Sequence, residues 1–133
     1  MPLLKILIAE DEKVTQKLFQ VALPGALCHA KIVSDGDEAV RTYKEWHPDI
    51  ILLDFGLPNI NGFQVLKMIR RDHQDKKSVV IMVTGQSDKE TILACAKLGV
   101  QGYIVKPFTS ADLAQKIFKI YNEHQKKAEG QPL

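Results

Sequence analysis

What this 133-residue chain lacks narrows its class before any motif is read. It holds two cysteines, Cys28 and Cys95, whose spacing fits neither a metal-ligand set nor a disulfide framework, so both read as inert packing residues. No apolar run approaches the length of a membrane span, so no membrane partner is expected. The opening "MPLLKILIAEDE" reaches an acidic cluster too early for a secretory signal, and a cytoplasmic setting follows as the expectation. The formal net charge of +2 is small, and the Lys and Arg residues are scattered without a basic stripe or interleaved aromatics. Direct nucleic-acid binding is therefore disfavoured. Internal repeats and low-complexity stretches are also missing. What remains is 45% hydrophobic and 26% charged residues, the mixture of a soluble globular domain, in a length that supports one core and not two.

Five short apolar runs alternate with five helical patterns, the signature of βα units around a parallel sheet. Strands are predicted at Lys5 to Ala9, Ala30 to Ser34, Asp49 to Asp54, Ser78 to Thr84, and Gly102 to Val105. The first helix follows Asp11, with Val14, Leu18 and Val21 as its inward face, and stops at Pro24 and Gly25. A second runs from Asp37 to Trp46 with Ala39, Val40 and Tyr43 inward. The third opens after Asn61 and Gly62 and buries Val65, Leu66 and Ile69. "SDKE" at Ser87 to Glu90 fits a capping box that starts the fourth helix, and "TSAD" at Thr109 to Asp112 suggests the same for the fifth. That last helix carries Leu113, Ile117, Ile120 and Tyr121, and the polar residues 125–133 read as a frayed tail after a domain spanning 1–124.

The stretch "IILLDFGLPNINGFQ" at 50–64 carries the chemistry. Ile50 to Leu53 are apolar without alternation, as suits a strand covered on both faces, and Asp54 sits where that strand leaves the core. Ligands of open α/β sheets gather outside the carboxyl ends of the strands. Asp54 is thus a candidate reactive carboxylate, although a polar turn residue reads equally well from this stretch alone. On the same sheet edge fall Glu10 and Asp11 after strand one, Thr84 at the end of strand four, and Lys106 after strand five. Taken singly, Glu10 and Asp11 suit a helix N-terminus, Thr84 an ordinary strand, and Lys106 a solvated surface. Jointly they suit a hard cation. Crowded carboxylates repel unless a divalent ion draws them in, and Mg²⁺ favours one or two carboxylates plus phosphate oxygens. A carboxylate can also accept a phosphoryl group, a reaction that depends chiefly on positioning and charge neutralisation.

These motifs, "AEDE" at 9–12, "LLDFGLPNINGFQ" at 52–64, "VTG" at 83–85 and "GYIVKPFT" at 102–109, resemble those of response regulator receiver domains over residues 4 to about 124. The resemblance implies a single flavodoxin-like (βα)5 domain, with a five-stranded parallel sheet of order 2-1-3-4-5 and helices on both faces. It implies Asp54 as the acceptor of a phosphoryl group from a histidine kinase or phosphotransfer protein, with later autodephosphorylation and no turnover of an external substrate. Asp11 matches the direct Mg²⁺ ligand and Glu10 the acid that reaches the metal through water. Gly56 matches the backbone-carbonyl ligand, and Lys106 the lysine that pairs with Asp54 or with phosphate. Pro107 matches a proline usually preceded by a cis bond. Thr84 and Tyr103 match a coupled switch pair acting on the face of helix four, strand five and helix five, toward a downstream effector protein or a phosphorylation-linked homodimer.

Two features set the chain apart within that pattern. Gly85 stands where many members carry Ala, leaving room beside the site and a looser following loop. The acid pair and basic helix five common in receivers joined to DNA-binding domains are absent, so the look is that of stand-alone or chemotaxis receivers. Because the given chain stops soon after helix five, output is expected through another protein unless the chain is part of a longer one. Three rival readings are weaker. A dehalogenase-type phosphatase needs an acid at position 56, which is Gly. An FMN-binding flavodoxin needs a hydroxyl- and glycine-rich loop after strand one, where this chain is acidic. A phosphorylation-independent interaction module would not need all of these residues.

Overall fold

The computed structural model describes residues 3–85 and 89–130. Five parallel strands form one sheet: β1 (Leu4–Ala9), β2 (Cys28–Val33), β3 (Ile50–Asp54), β4 (Val79–Thr84) and β5 (Gly102–Val105), in the order β2-β1-β3-β4-β5. Every residue of β3 and β4 is buried, which accounts for their unbroken apolar runs, whereas edge strand β2 exposes His29, Ala30 and Lys31. The helices are α1 (Lys13–Ala22), α2 (Gly36–Trp46), α3 (Gly62–Lys67), α4 (Lys89–Leu98) and α5 (Leu113–Ala128). The expected flavodoxin-like α/β architecture is therefore present.

Strand residues alternate between two cores. Leu7, Ala9, Ile51, Leu53, Val80 and Met82 pack beneath α2, α3 and α4, joined by Ala39, Tyr43, Leu66 and Cys95. Ile6, Ile8, Ile50, Leu52, Ile81 and Val83 face α1 and α5 through Phe19, Leu23, Leu113 and Ile117. Both cysteines are free and buried, as expected. Among the described residues, the starts of α2 and α3 are fixed by side-chain caps. The Asp35 side chain accepts from Glu38 N at 2.8 Å, and Asn61 and Gln64 form a reciprocal capping box at 2.9 and 3.0 Å.

Four expectations need correction or fall outside the description. In α1 the buried residues are Thr15, Gln16 and Phe19, whereas Val14 and Val21 are 75% and 77% exposed and Leu18 is half-buried. The cause is polar. Gln16 Nε2 donates to Glu10 O at 2.6 Å and to Ser34 Oγ at 3.3 Å, which turns that face inward and the valines outward. At α5 the helix begins after Asp112, which makes no side-chain cap bond. Asp112 is thus itself the N-cap, whereas a capping box begun by Thr109 needs it as the third helical residue, so the helix starts three positions later than that box would have it. Residues 125–128 of the supposed tail are helical, since α5 runs to Ala128. The box expected at Ser87 to Glu90 involves residues outside the described ones.

A feature not foreseen lies where α3 ends. The chain continues through a π-helical turn, Met68–Asp72, and Arg70 there donates to Gly99 O, Asp75 O and Ser78 O, each at 2.8 Å. The guanidinium thereby ties the exit of α3 to the starts of β4 and β5.

Candidate functional site

Glu10, Asp11, Asp54, Thr84 and Lys106 gather at the carboxyl edge of the sheet. β1 delivers Glu10, which is 1% exposed, and β3 ends on the buried Asp54, while Asp11 lies on the exposed rim. Carboxylate oxygens of Glu10, Asp11 and Asp54 lie within 4.8 Å of one another. From β5 comes Lys106, whose Nζ stands 2.9 Å from Glu10 Oε1, 3.0 Å from Glu12 Oε1 and 3.4 Å from Asp54 Oδ1. Lys106 N also donates to Thr84 O at 2.8 Å, which joins the ends of β4 and β5, and Thr84 is buried beside them. The Lys106–Pro107 peptide bond is cis, as the motif implied.

The loop after Asp54 is shaped by close backbone approach. A Cβ on Gly62 would collide with the carbonyl of Asp54, so the chain can return under β3 only with glycine there. Gly62 N donates to Phe55 O at 3.0 Å and closes that return. Gly56 N points back to Asp54 Oδ1 at 3.4 Å, a long contact, and Leu57 is buried while Phe55 packs on the core of the α2, α3 and α4 side. At Gly85 a Cβ would meet nothing within 4 Å, so there is room beside the site as expected, while the loop that follows lies outside the described residues.

Electrostatics decide what this pocket can hold. Burial raises the Asp54 pKa, opposed first by the Lys106 charge, and burial likewise raises that of Glu10. For Lys106 burial works against the charge, but the bonds to Glu10 and Glu12 and the field of Asp54 outweigh it, and the ammonium is held charged. Glu10 Oε1 is buried, with the Lys106 ammonium 2.9 Å away. Three carboxylates with oxygens within 4.8 Å of one another form an all-oxygen donor set that fits a hard divalent cation such as Mg²⁺.

The response regulator receiver domain family matches residues 6–118. This chain belongs to that family. The receiver is 34% identical over 119 residues to the chemotaxis protein CheY-3 of Vibrio cholerae serotype O1, covering 89% of this chain and 92% of the relative. It is 31% identical over 119 residues to the chemotaxis protein CheY of Pseudomonas aeruginosa, with 89% and 96% covered. The solved CheY-like receiver domain protein of Methanospirillum hungatei JF-1 superposes with a TM-score of 0.85 at 25% identity, covering 95% of this chain and 99% of that one. The receiver is thus of the chemotaxis type.

Two contributors to the site escaped the sequence reading. Glu12 belongs to the "AEDE" motif, whose resemblance assigns it no part, yet it takes the Lys106 ammonium. Gln16 fixes the loop that carries Glu10 and Asp11. The run of three acids signalled the first, but nothing in a helical polar residue signalled the second. Tyr103, on β5, is half-buried, and its hydroxyl donates to Ile92 O of α4 at 2.8 Å.

Proposed function

We propose that this receiver accepts a phosphoryl group on Asp54 from the phosphohistidine of a sensor histidine kinase or phosphotransfer protein, in the cytoplasm, and controls a downstream effector protein. One observation carries the reading. A buried carboxylate at the mouth of an acidic cluster stands 3.4 Å from a lysine held charged. In the transfer an Asp54 oxygen bonds to phosphorus, the phosphorus–nitrogen bond to imidazole breaks, and a proton returns to the imidazole nitrogen. The rigid end of β3 fixes the acceptor, so orientation is set before the donor arrives. Lys106 neutralises a phosphoryl oxygen, and the Thr84 hydroxyl donates to another. Glu10 and Asp11, with Asp54 and the Gly56 carbonyl, would hold Mg²⁺, which when bound supplies positive charge for the carboxylates and the phosphoryl oxygens. Water later cleaves the acyl phosphate, so the cycle turns over no external substrate other than the donor.

Treating the protein with a small phosphodonor and Mg²⁺, followed by mass spectrometry, tests this. One phosphoryl adduct located at Asp54 is the expected result. A chain that stays unmodified while keeping its fold would identify an interaction module that works without phosphorylation.

A further inference from the structure

Three carboxylates share Lys106, and Glu12 is the one that the phosphoryl-acceptor reading leaves without a task. Its Oε1 receives the ammonium in hydrogen-bond geometry at 3.0 Å, closer than Asp54 Oδ1 at 3.4 Å. Thr15 Oγ1 also donates to Glu12 Oε1 at 3.5 Å, and Glu12 N donates to Glu10 Oε2 at 3.0 Å, so main chain and carboxylate are both anchored. A lysine ammonium is a compact charge on a flexible stem, and closing on one partner means easing away from another.

We propose that Glu12 is a positioning residue that holds Lys106 back from Asp54, so that a phosphoryl group arriving on Asp54 has to draw the ammonium off Glu12. The inference rests on the phosphoryl-acceptor reading. A phosphoryl group brings strong acceptor oxygens and close to two negative charges, so it wins that competition. Glu12 opposes it only modestly, because its side chain is 62% exposed and its pairing is screened by water and salt. The effect is a bias against the phosphorylated arrangement. Glu12 also has a second influence of the same sign: once Lys106 has moved, its carboxylate is left uncompensated beside an anion.

Beryllofluoride, a phosphoryl mimic, provides the test when titrated with Mg²⁺ into wild type, Glu12→Gln and Asp37→Asn. Asp37 is an exposed acid of the first turn of α2 and controls for a general change of charge. Glu12→Gln is expected to bind beryllofluoride about two- to fivefold more tightly, the range that an exposed ion pair commands. Asp37→Asn should match wild type. In metal-free protein, the Lys106 Nζ resonance should shift in Glu12→Gln and its ammonium protons should exchange faster. Equal tightening in both variants would reduce the effect to net charge and overturn the proposal, as would an unchanged affinity in Glu12→Gln. If wild type shows no saturable beryllofluoride binding, the phosphoryl-acceptor reading fails. The Nζ comparison then still decides whether Glu12 holds the lysine, and an unmoved resonance would end that idea too.

Discussion

At the scale of single residues, the proposed transfer gives Asp54 and Lys106 separable tasks. Asp54→Asn keeps the size of the side chain but removes the nucleophilic carboxylate, so no stable phosphoryl adduct should form, as mass spectrometry after phosphodonor treatment would register. Lys106→Ala leaves the acceptor in place and removes one charge-assisted contact to phosphate, worth about 1.5 to 3 kcal/mol. Its phosphorylation rate should fall by roughly one to two orders of magnitude. Circular dichroism should meanwhile show an intact fold, because Lys106 sits at the pocket rim and takes no part in either core. A Lys106→Ala protein that phosphorylates at the wild-type rate would remove the lysine from the mechanism. Both residues were legible because strand ends in a parallel sheet are predictable from apolar runs, and such ends converge on one edge. Gln16 was not legible, since its task depends on where a loop carbonyl falls in space.

Elements differ in how faithfully periodicity reports their buried face. In α2 and α3 the apolar residues and the buried ones largely coincide, because apolar packing faces the core there. In α1 the polar bonds of Gln16 set the inward face, and the periodic valines point to water. Phe19→Ala, which empties a site 1% exposed, should therefore cost about 3 to 5 kcal/mol in urea denaturation, whereas Val21→Ala should stay within about 0.5 kcal/mol. Comparable losses would reinstate the face that periodicity suggested. The joint of α2, the exit of α3 and β4 is a polar counterpart. Asp75 accepts from Tyr43 Oη at 2.7 Å, from Ser78 Oγ at 2.6 Å, and from the amides of Lys77 and Ser78. Burial raises its pKa, but these bonds prevail and bring it down to about 2. A lowered carboxylate pKa means that the unfolded chain binds the proton first. The stabilisation is complete above the unfolded value near 3.8 and fades as pH falls toward 2. With a discount for partial exposure it amounts to roughly 1 to 2 kcal/mol. Asp75→Asn should lose that amount at pH 7 and show a shallower decline between pH 4 and 2, as urea denaturation across that range would measure.

For the whole molecule, the pocket and the far face of α4, β5 and α5 are joined through few residues. Thr84 and Lys106 meet where β4 and β5 end, and Tyr103, three residues before Lys106, reaches from β5 to α4 through its bond to Ile92 O. On α5 the stripe read in the sequence is largely used in packing. Leu113 and Ile117 are buried, and Phe118 and Tyr121 are half-buried against the core shared with α1. Exposed apolar surface on this side is instead carried by Leu93 of α4 and Val105 of β5, 60% and 53% exposed. In the proposed reading, a phosphoryl group on Asp54 would draw Thr84 and Lys106 toward it and favour one conformer by its differential contacts, with the Tyr103 bond as the route by which α4 would follow. A coupling of about 1 to 3 kcal/mol is typical and changes partner affinity between fivefold and 150-fold. Beryllofluoride with Mg²⁺ should shift amide resonances around Asp54 and also those of α4 residues near Ile92 and of β5. In Tyr103→Ala the shifts around Asp54 should persist while those of α4 shrink, because the mimic still binds but its link to the helix is gone. Shifts confined to the loops around Asp54 in wild type would place the output elsewhere. Shifts of α4 that survive Tyr103→Ala unchanged would remove the tyrosine from the coupling.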